Sequence, residues 1–319
     1  MPLLGGPREK GAAIPRLREP AIARWTWTRS IRNRATYLWF LTPCLLIMGT
    51  VSLVPPLVTG YLSVQDLNLM YPERGGFIGL AHYARMGADP YFWNAIQVTL
   101  LLIAGPVAVQ MGLGLGLAML LHTDMPLLRL SRSLFIAPMV IPPVIAGLAW
   151  KVLFIPNLGG VNYFLGLLGL PGPNWLNTAG WAVFSVGLVA VWQDTPFVML
   201  LLLAALESLP EEPFQAARVD GASALQIFRH ITLPLLMPAL MVALLFRIIN
   251  SLGIFPVIYI MTNGGPGRAT EMLNYYAFTH AFQYLDMGYG ATLAVGLFVL
   301  VVVLSLAFLK LRMKVVEVE

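Results

Sequence analysis

Six stretches of this chain are apolar and nearly free of charge over lengths that suit a membrane crossing, and they constrain the fold more than anything else in it. The hydrocarbon core of a bilayer is about 30 Å thick and takes about 20 residues of helix to span. Residues 35–65 and 93–121 contain no Asp, Glu, Lys or Arg, residues 133–150 are shorter but apolar, and residues 152–193 are again uncharged. Pro, Gly and Asn between 156 and 177 divide that last stretch into a loop and the start of a fourth span, which runs to about residue 206 and is interrupted only by Asp194. Residues 231–261 are interrupted only by Arg247, and 287–309 are clean. The expected fold class is an all-α membrane protein of six transmembrane helices. Composition agrees. Only 11% of the 319 residues are charged, against roughly 25% in a soluble domain, which leaves too few polar groups to cover a water-soluble chain of this length. The single Cys44 excludes a disulfide within the chain and a cysteine-based metal site.

The cations are sorted along the chain. Arg8, Lys10, Arg16, Arg18, Arg24, Arg29, Arg32 and Arg34 precede the first span; Arg129 and Arg132 follow the second; Arg218 and Arg229 follow the fourth; Lys310, Arg312 and Lys314 follow the sixth. The alternate loops hold Arg74, Arg85 and Arg268, and Lys151 and Arg247 lie in or at the ends of spans. The positive-inside rule therefore predicts both termini in the cytoplasm. It also explains the net charge of +5 as topology, so no nucleic-acid partner is expected. Residues 1–34 have neither the apolar core nor the small-residue cleavage site of a signal peptide, and they read as a basic cytoplasmic tail.

One predicted cytoplasmic connection is patterned. Residues 207–232 read ESLPEEPFQAARVDGASALQIFRHIT and run into Leu233-Pro234. Ser208 and Glu211 form a capping-box pattern, with Pro210 in the first turn. Asp220-Gly221 signals the end of a helix, since glycine takes the left-handed conformation readily. Residues 222–231 restart a helix with Leu225, Phe228 and Ile231 on one side, and Pro234 marks entry to the next span. The expectation is a helix, a glycine turn and a second helix projecting from the membrane.

This hairpin resembles the coupling loop of ABC importer permeases, whose pattern is Glu-Ala-Ala, then Asp-Gly-Ala, then Ile-x-Leu-Pro. Gln215, Ala216, Ala217, Asp220, Gly221, Ala222, Ile231, Leu233 and Pro234 stand at the matching positions. The chain is similar over roughly 94–309 to the carbohydrate-uptake group, and within it to the maltose-type first permease subunit. Val191-Trp192, Pro196-Phe197, Trp150-Lys151, Gly159-Gly160, Asn162, Phe246-Arg247, the run Asn263-Gly264-Gly265-Pro266, Thr270-Glu271, Tyr276, Ala281-Phe282 and Gly288-Tyr289 carry that likeness. The resemblance implies a type I importer permease fold. It implies a basic tail over 1–34, a first transmembrane helix over 35–65 and a transmembrane domain over 93–310. It also implies a second homologous permease subunit, an ATPase dimer gripping the coupling loop, an extracytoplasmic sugar-binding protein, and the bacterial inner membrane as location. Two departures stand out: Gln215 replaces the usual Glu, and Asn250 and Pro256 replace two Asp in the fifth span, with Gly253 where a basic residue is frequent. The path is thus less charged than in many relatives, which favours a neutral sugar or polyol.

The chain is not expected to be the motor. None of Lys10, Lys151, Lys310 and Lys314 lies in the Gly-Lys-Ser/Thr context of a phosphate-binding loop. No cofactor is expected on this chain, with ATP and Mg on the partner ATPase. His82, His122, His230 and His280 are scattered, and no metal site or catalytic residue is expected. Gly112-x-x-x-Gly116 reads as close helix packing rather than a nucleotide fingerprint.

Polar residues inside a span are costly and need a reason. Trp192, Gln193 and Asp194 in the fourth span, and Asn250, Phe255 and Tyr259 in the fifth, offer the amide, carboxylate and aromatic groups that suit a sugar. Arg247 reads as a structural charge. Asp194 lies 12 residues from Leu206 and Arg247 lies 15 from Thr232, so at about 1.5 Å per residue they reach similar depth on adjacent helices. They pair, or they contact solute. Pro256 should kink the fifth span. A self-contained secondary transporter is the competing reading. It would show inverted halves with paired interrupted helices, and no such repeat is visible.

Overall fold

A computed structural model describes residues 30–122 and 126–316. The expected basic tail lies outside the described residues up to residue 29. The chain divides after Pro55 into two compact units. The first holds most of α1 (Ser30–Leu62), whose side chains from Trp39 to Pro55 are almost all exposed.

The second unit is a helical bundle. In chain order it contains α2 (Ala81–Ala88), α3 (Pro90–Leu121), α4 (Pro126–Val140), α5 (Pro143–Leu153), α6 (Gly160–Leu167), α7 (Ala179–Glu207), α8 (Glu212–Val219), α9 (Ala224–Ile227), α10 (Leu233–Asn250), α11 (Phe255–Met261), α12 (Leu273–Phe278) and α13 (Met287–Val316). Among the described residues the only β structure is two isolated bridges. Among the described residues five helical runs are long and apolar enough to cross a membrane, or six where one bent pair is counted as a single span.

That pair corrects the sequence reading of the third span. Residues 133–150 are not one helix: Ser133–Val140 and Pro143–Leu153 meet at 101°. Pro142 and Pro143 supply no N–H, and the residue before a proline is pushed out of the helical region. The 156–177 stretch also contains α6 as well as loop. Further on, α5 lies against α11, and Lys151 Nζ donates to the Ile260 carbonyl at 2.7 Å. A cation at the last turn of a helix is where the helix dipole favours one.

The centre of the bundle is α3 packed on α7. Leu102 and Val107 of α3 meet Val186 and Val189 of α7, and Ala118 and Leu121 meet Val198 and Leu202 further along. The close approach depends on Gly114. A Cβ there would sit 2.6 Å from Val198 Cγ1. The expectation for Gly112 and Gly116 is corrected: a Cβ on either would meet open space. They lie on the other side of α3, so among the described residues of this unit no helix packs against them.

From Ala224 to Met261 the backbone is one long run with two adjustments. Phe228–Thr232 widens into a π turn ahead of Leu233-Pro234, and Ser251–Ile254 tightens into a 3-10 turn ahead of Pro256. The second interruption falls where Pro256 predicts it. Pro256 offers no N–H to the Leu252 carbonyl, and Asn274 Nδ2 supplies the missing donor at 2.9 Å.

At the α3 N-terminal end, Asp89 ties several elements together. Its Oδ2 accepts from the hydroxyls of Tyr276 and Tyr289 at 2.6 and 2.7 Å, and its Oδ1 caps α3 through Tyr91 N. Burial pushes the carboxyl pKa up, but these hydrogen bonds outweigh burial and hold it below the ordinary value. His280 is buried edge-on against the rings of Tyr276, Tyr284 and Tyr289. Burial, with Arg85 nearby, lowers its pKa to about 4.

Candidate functional site

Two features of the bundle are built for work: a cavity between spans and a hairpin beyond their ends. The cavity forms where the α4–α5 break faces the middle of α7 and the end of α10. It has a volume of about 340 Å³, and Gln193, Asp194, Arg247, Asn250 and Gly253 contribute to its lining.

The break creates a demand that Gln193 meets. Without N–H groups from Pro142 and Pro143 the chain leaves the helix, and Gln193 Nε2 donates to the Ile141 carbonyl at 2.8 Å. Arg247 Nη2 donates to Asp194 Oδ2 at 2.6 Å, and its Nε donates to Gln110 Oε1 at 2.9 Å. Gln110 is held in turn by its own donation to the Ala190 carbonyl at 2.9 Å. The two ends of the ion pair differ in exposure: the Arg247 side chain is 5% exposed and that of Asp194 37%. Arginine is therefore the buried anchor, and aspartate is the face that the pair turns to the cavity. Asn250 is exposed and donates to the Phe246 carbonyl one turn back.

The sequence candidates thus separate. Gln193, Asp194, Arg247 and Asn250 come together around one cavity. Trp192 turns aside onto Trp150, with ring centroids 5.5 Å apart. Phe255 and Tyr259 stack on each other and join Tyr275 and Phe278 in an aromatic group further along. Gln110 is the residue that the sequence reading missed. It is an amide in the middle of an apolar span, which was signal enough by the rule applied to the fourth and fifth spans.

The hairpin is α8, a turn and α9. Gly221 has φ +76°, in the left-handed region that favours glycine. The first-turn chemistry differs from expectation. Ser208 does not cap α8: its hydroxyl donates back to the Ala205 carbonyl, α8 starts at Glu212, and Pro213 rather than Pro210 occupies the first turn. The capping box that forms is Ser223 with Gln226, at the start of α9, so that helix begins at Ala224 rather than 222. A serine caps a helix only where the chain turns extended, as it does at Ser223. Gln215 and Ala216 are exposed with Asp220 and Gly221, Ala217 and Ala222 are half-buried, and Pro234 lies in the first turn of α10. Gln215 Nε2 donates to Glu211 Oε2 at 3.1 Å. Beneath the hairpin, against the ends of α3 and α7, lies a larger cavity of about 1050 Å³, lined in part by Phe214, Gln215 and Phe228.

Residues 110–314, which hold both features, match the model of the binding-protein-dependent transport system inner membrane component. The chain belongs to this family. It is an ABC importer permease, a multi-pass component of the inner membrane. The permease is 40% identical over 274 residues to a probable ABC transporter permease protein, y4oQ, of Sinorhizobium fredii, an alignment covering 86% of this chain and 88% of that one. It is 34% identical over 285 residues to the trehalose/maltose transport system permease protein MalF of Thermococcus litoralis, covering 89% and 96%. In structure it is similar to a chain of a bacterial alginate ABC transporter, crystallised in complex with an alginate pentasaccharide-bound periplasmic protein. That match has a TM-score of 0.77 at 21% identity and covers 91% of the permease and 98% of the other chain. It supports the fold of the permease. The matched family region begins at Gln110, the residue that anchors Arg247 from α3.

Proposed function

We propose that this permease forms part of the path of an ATP-driven importer for a neutral saccharide or polyol, and that hydrolysis takes place on a partner ATPase dimer gripping the α8–α9 hairpin. Both termini and the hairpin lie in the cytoplasm. A second homologous permease completes the path, and an extracytoplasmic binding protein delivers the solute. ATP and Mg stay on the ATPase, and the permease holds no cofactor. Gln215, Ala216, Ala217, Asp220, Gly221 and Ala222 form the contact with the ATPase, and Pro234 starts the helix that carries its movement. Gln193, Asp194 and Asn250 belong to the path, while Trp192, Phe255 and Tyr259 shape its surroundings.

One observation carries the reading. The second helix of the hairpin runs through the π turn into α10 without leaving helix, so the exposed hairpin and the cavity share one rod. Packed elements displaced as rigid bodies are the ordinary means of alternating access. The sugar assignment is supported by the trehalose/maltose relative and by the amides and carboxylate at the cavity. The test is recovery of the tagged full chain from native membranes in mild detergent. An ATPase and a second permease should copurify, and the complex should show ATPase activity stimulated by a sugar-loaded binding protein. Recovery of the chain alone, with transport that needs no ATP, would overturn the reading.

A further inference from the structure

We infer that Asp194 is the charge filter of the cavity: its carboxylate admits neutral or cationic polyhydroxy solutes and turns away anionic ones, whether carboxylated, sulfonated or phosphorylated. The inference deepens the proposed saccharide path and rests on it for the identity of the solute, but not for the sign of the charge.

The arrangement of the ion pair carries it. An arginine lining a path would ordinarily attract anions. Here the guanidinium is buried, and two of its nitrogens are engaged, Nη2 on Asp194 Oδ2 and Nε on Gln110 Oε1. Asp194 stands in front with over a third of its side chain exposed. The rest of the lining is uncharged: Gln193, Asn250 and Gly253 with apolar side chains such as Phe197 and Val257. Next to low-dielectric walls a single charge sets the local potential more strongly than it would in water. A carboxylate accepts hydrogen bonds and donates none, so it matches hydroxyl donors on the solute, and Asn250 adds an amide that can both donate and accept.

The chain offers a direct probe of that potential. Cys44 is its only cysteine. A Cβ on Gly253, which lines the cavity, meets nothing within 4 Å. Gly253→Cys in a Cys44→Ser background therefore places one thiol in the cavity. In detergent-solubilised full chain at low salt, the trimethylammonioethyl methanethiosulfonate should react with it faster than the sulfonatoethyl reagent. After dividing by the same ratio on free cysteine, the preference should be at least about threefold. Asp194→Asn should reverse it, because Arg247 is then the remaining charge. Because that variant strands a buried cation and can fail to fold, Asp194→Leu with Arg247→Met serves beside it and should bring the ratio to that of free cysteine. Asp194→Glu should keep the preference for the cation. A normalised ratio near one in the parent, a ratio that ignores Asp194, or a thiol that neither reagent reaches would each overturn the inference. A wrong sugar assignment would surface instead in the ligand found on the binding protein and would leave these rates unchanged.

Discussion

The asymmetry between Asp194 and Arg247 predicts unequal costs for removing either one. Asp194→Leu leaves a guanidinium whose side chain is 5% exposed, with the neutral Gln110 oxygen beside it. Breaking a buried pair from one side costs about 3–5 kcal/mol. Because the lost partner borders a cavity, the lower end applies, at about 3 kcal/mol. Arg247→Met leaves a carboxylate that water in the cavity can hydrate, together with a buried Gln110 oxygen lacking its donor, for about 1–2 kcal/mol. Removing both charges strands neither, so the double variant should lose less than the sum, with a coupling of about 2 kcal/mol or more. The assay is thermal unfolding of the full chain in one detergent, followed by tryptophan fluorescence. Melting temperatures should rank parent first, then Arg247→Met and the double variant close together, then Asp194→Leu. Additive losses, or Arg247→Met melting below Asp194→Leu, would refute the burial argument.

Three further outcomes follow from the packing, the hairpin and the α3 N-terminal end. Gly114→Ala should cost about 1–3 kcal/mol by forcing α3 away from Val198, while Gly112→Ala and Gly116→Ala in the isolated chain should leave the melting temperature unchanged or slightly raised; equal losses at all three would contradict the packing. Gln215→Glu sets a second carboxylate beside Glu211 and should cost only a few tenths of a kcal/mol, with transport-coupled ATPase activity in the reconstituted importer little changed. A sharp rise in that activity would mean that an ionic contact had been missing. His280 titrates near pH 4 when folded, against an ordinary value of 6.5. Between those values the unfolded chain takes up a proton that the folded chain refuses, so stability is full above pH 6.5 and falls toward pH 4, by at most about 3 kcal/mol. His280→Gln should therefore lose less melting temperature between pH 7 and pH 4.5 than the parent, and an identical acid slope would exclude His280 as a cause.

The spans, the shared depth of Asp194 and Arg247 and the glycine turn of the hairpin were legible because each rests on local composition or on counting residues along a helix. The 101° break was not, although Pro142-Pro143 stand in plain view. Apolar composition continues through it, and hydropathy is blind to direction. The choice between Ser208 and Ser223 as a cap was open for a related reason. Both precede Glu or Gln by three residues, but only Ser223 sits where the backbone turns extended. Gly114 was passed over for Gly112 and Gly116 because spacing alone does not say which side of α3 meets α7.

A rule for polar residues within spans follows from these misses. The sequence reading took Gln193, Asp194 and Asn250 as candidates for solute. Yet every break in a helix frees a carbonyl or an N–H, and in lipid that group must find a partner within the protein. Gln193 is taken by Ile141 at the α4–α5 break, Asn274 by Leu252 ahead of Pro256, and Thr99 by the N–H of Leu273 at the start of α12. Breaks at prolines and helix starts therefore show where amides and hydroxyls are already committed. The residues left over at the cavity are Asp194, which faces it, and Asn250, which bonds only within its own helix. Their position bears on energy transfer as well. α7 leads into the α8–α9 hairpin and α10 leads out of it, and the Arg247–Asp194 pair ties these two stalks together at the depth of the cavity. Arg247 lies about 22 Å along the helix from Thr232 at about 1.5 Å per residue. In the proposed importer, a push on the hairpin therefore reaches both walls of the cavity at once, and the carboxylate that meets the solute moves with the guanidinium that holds it.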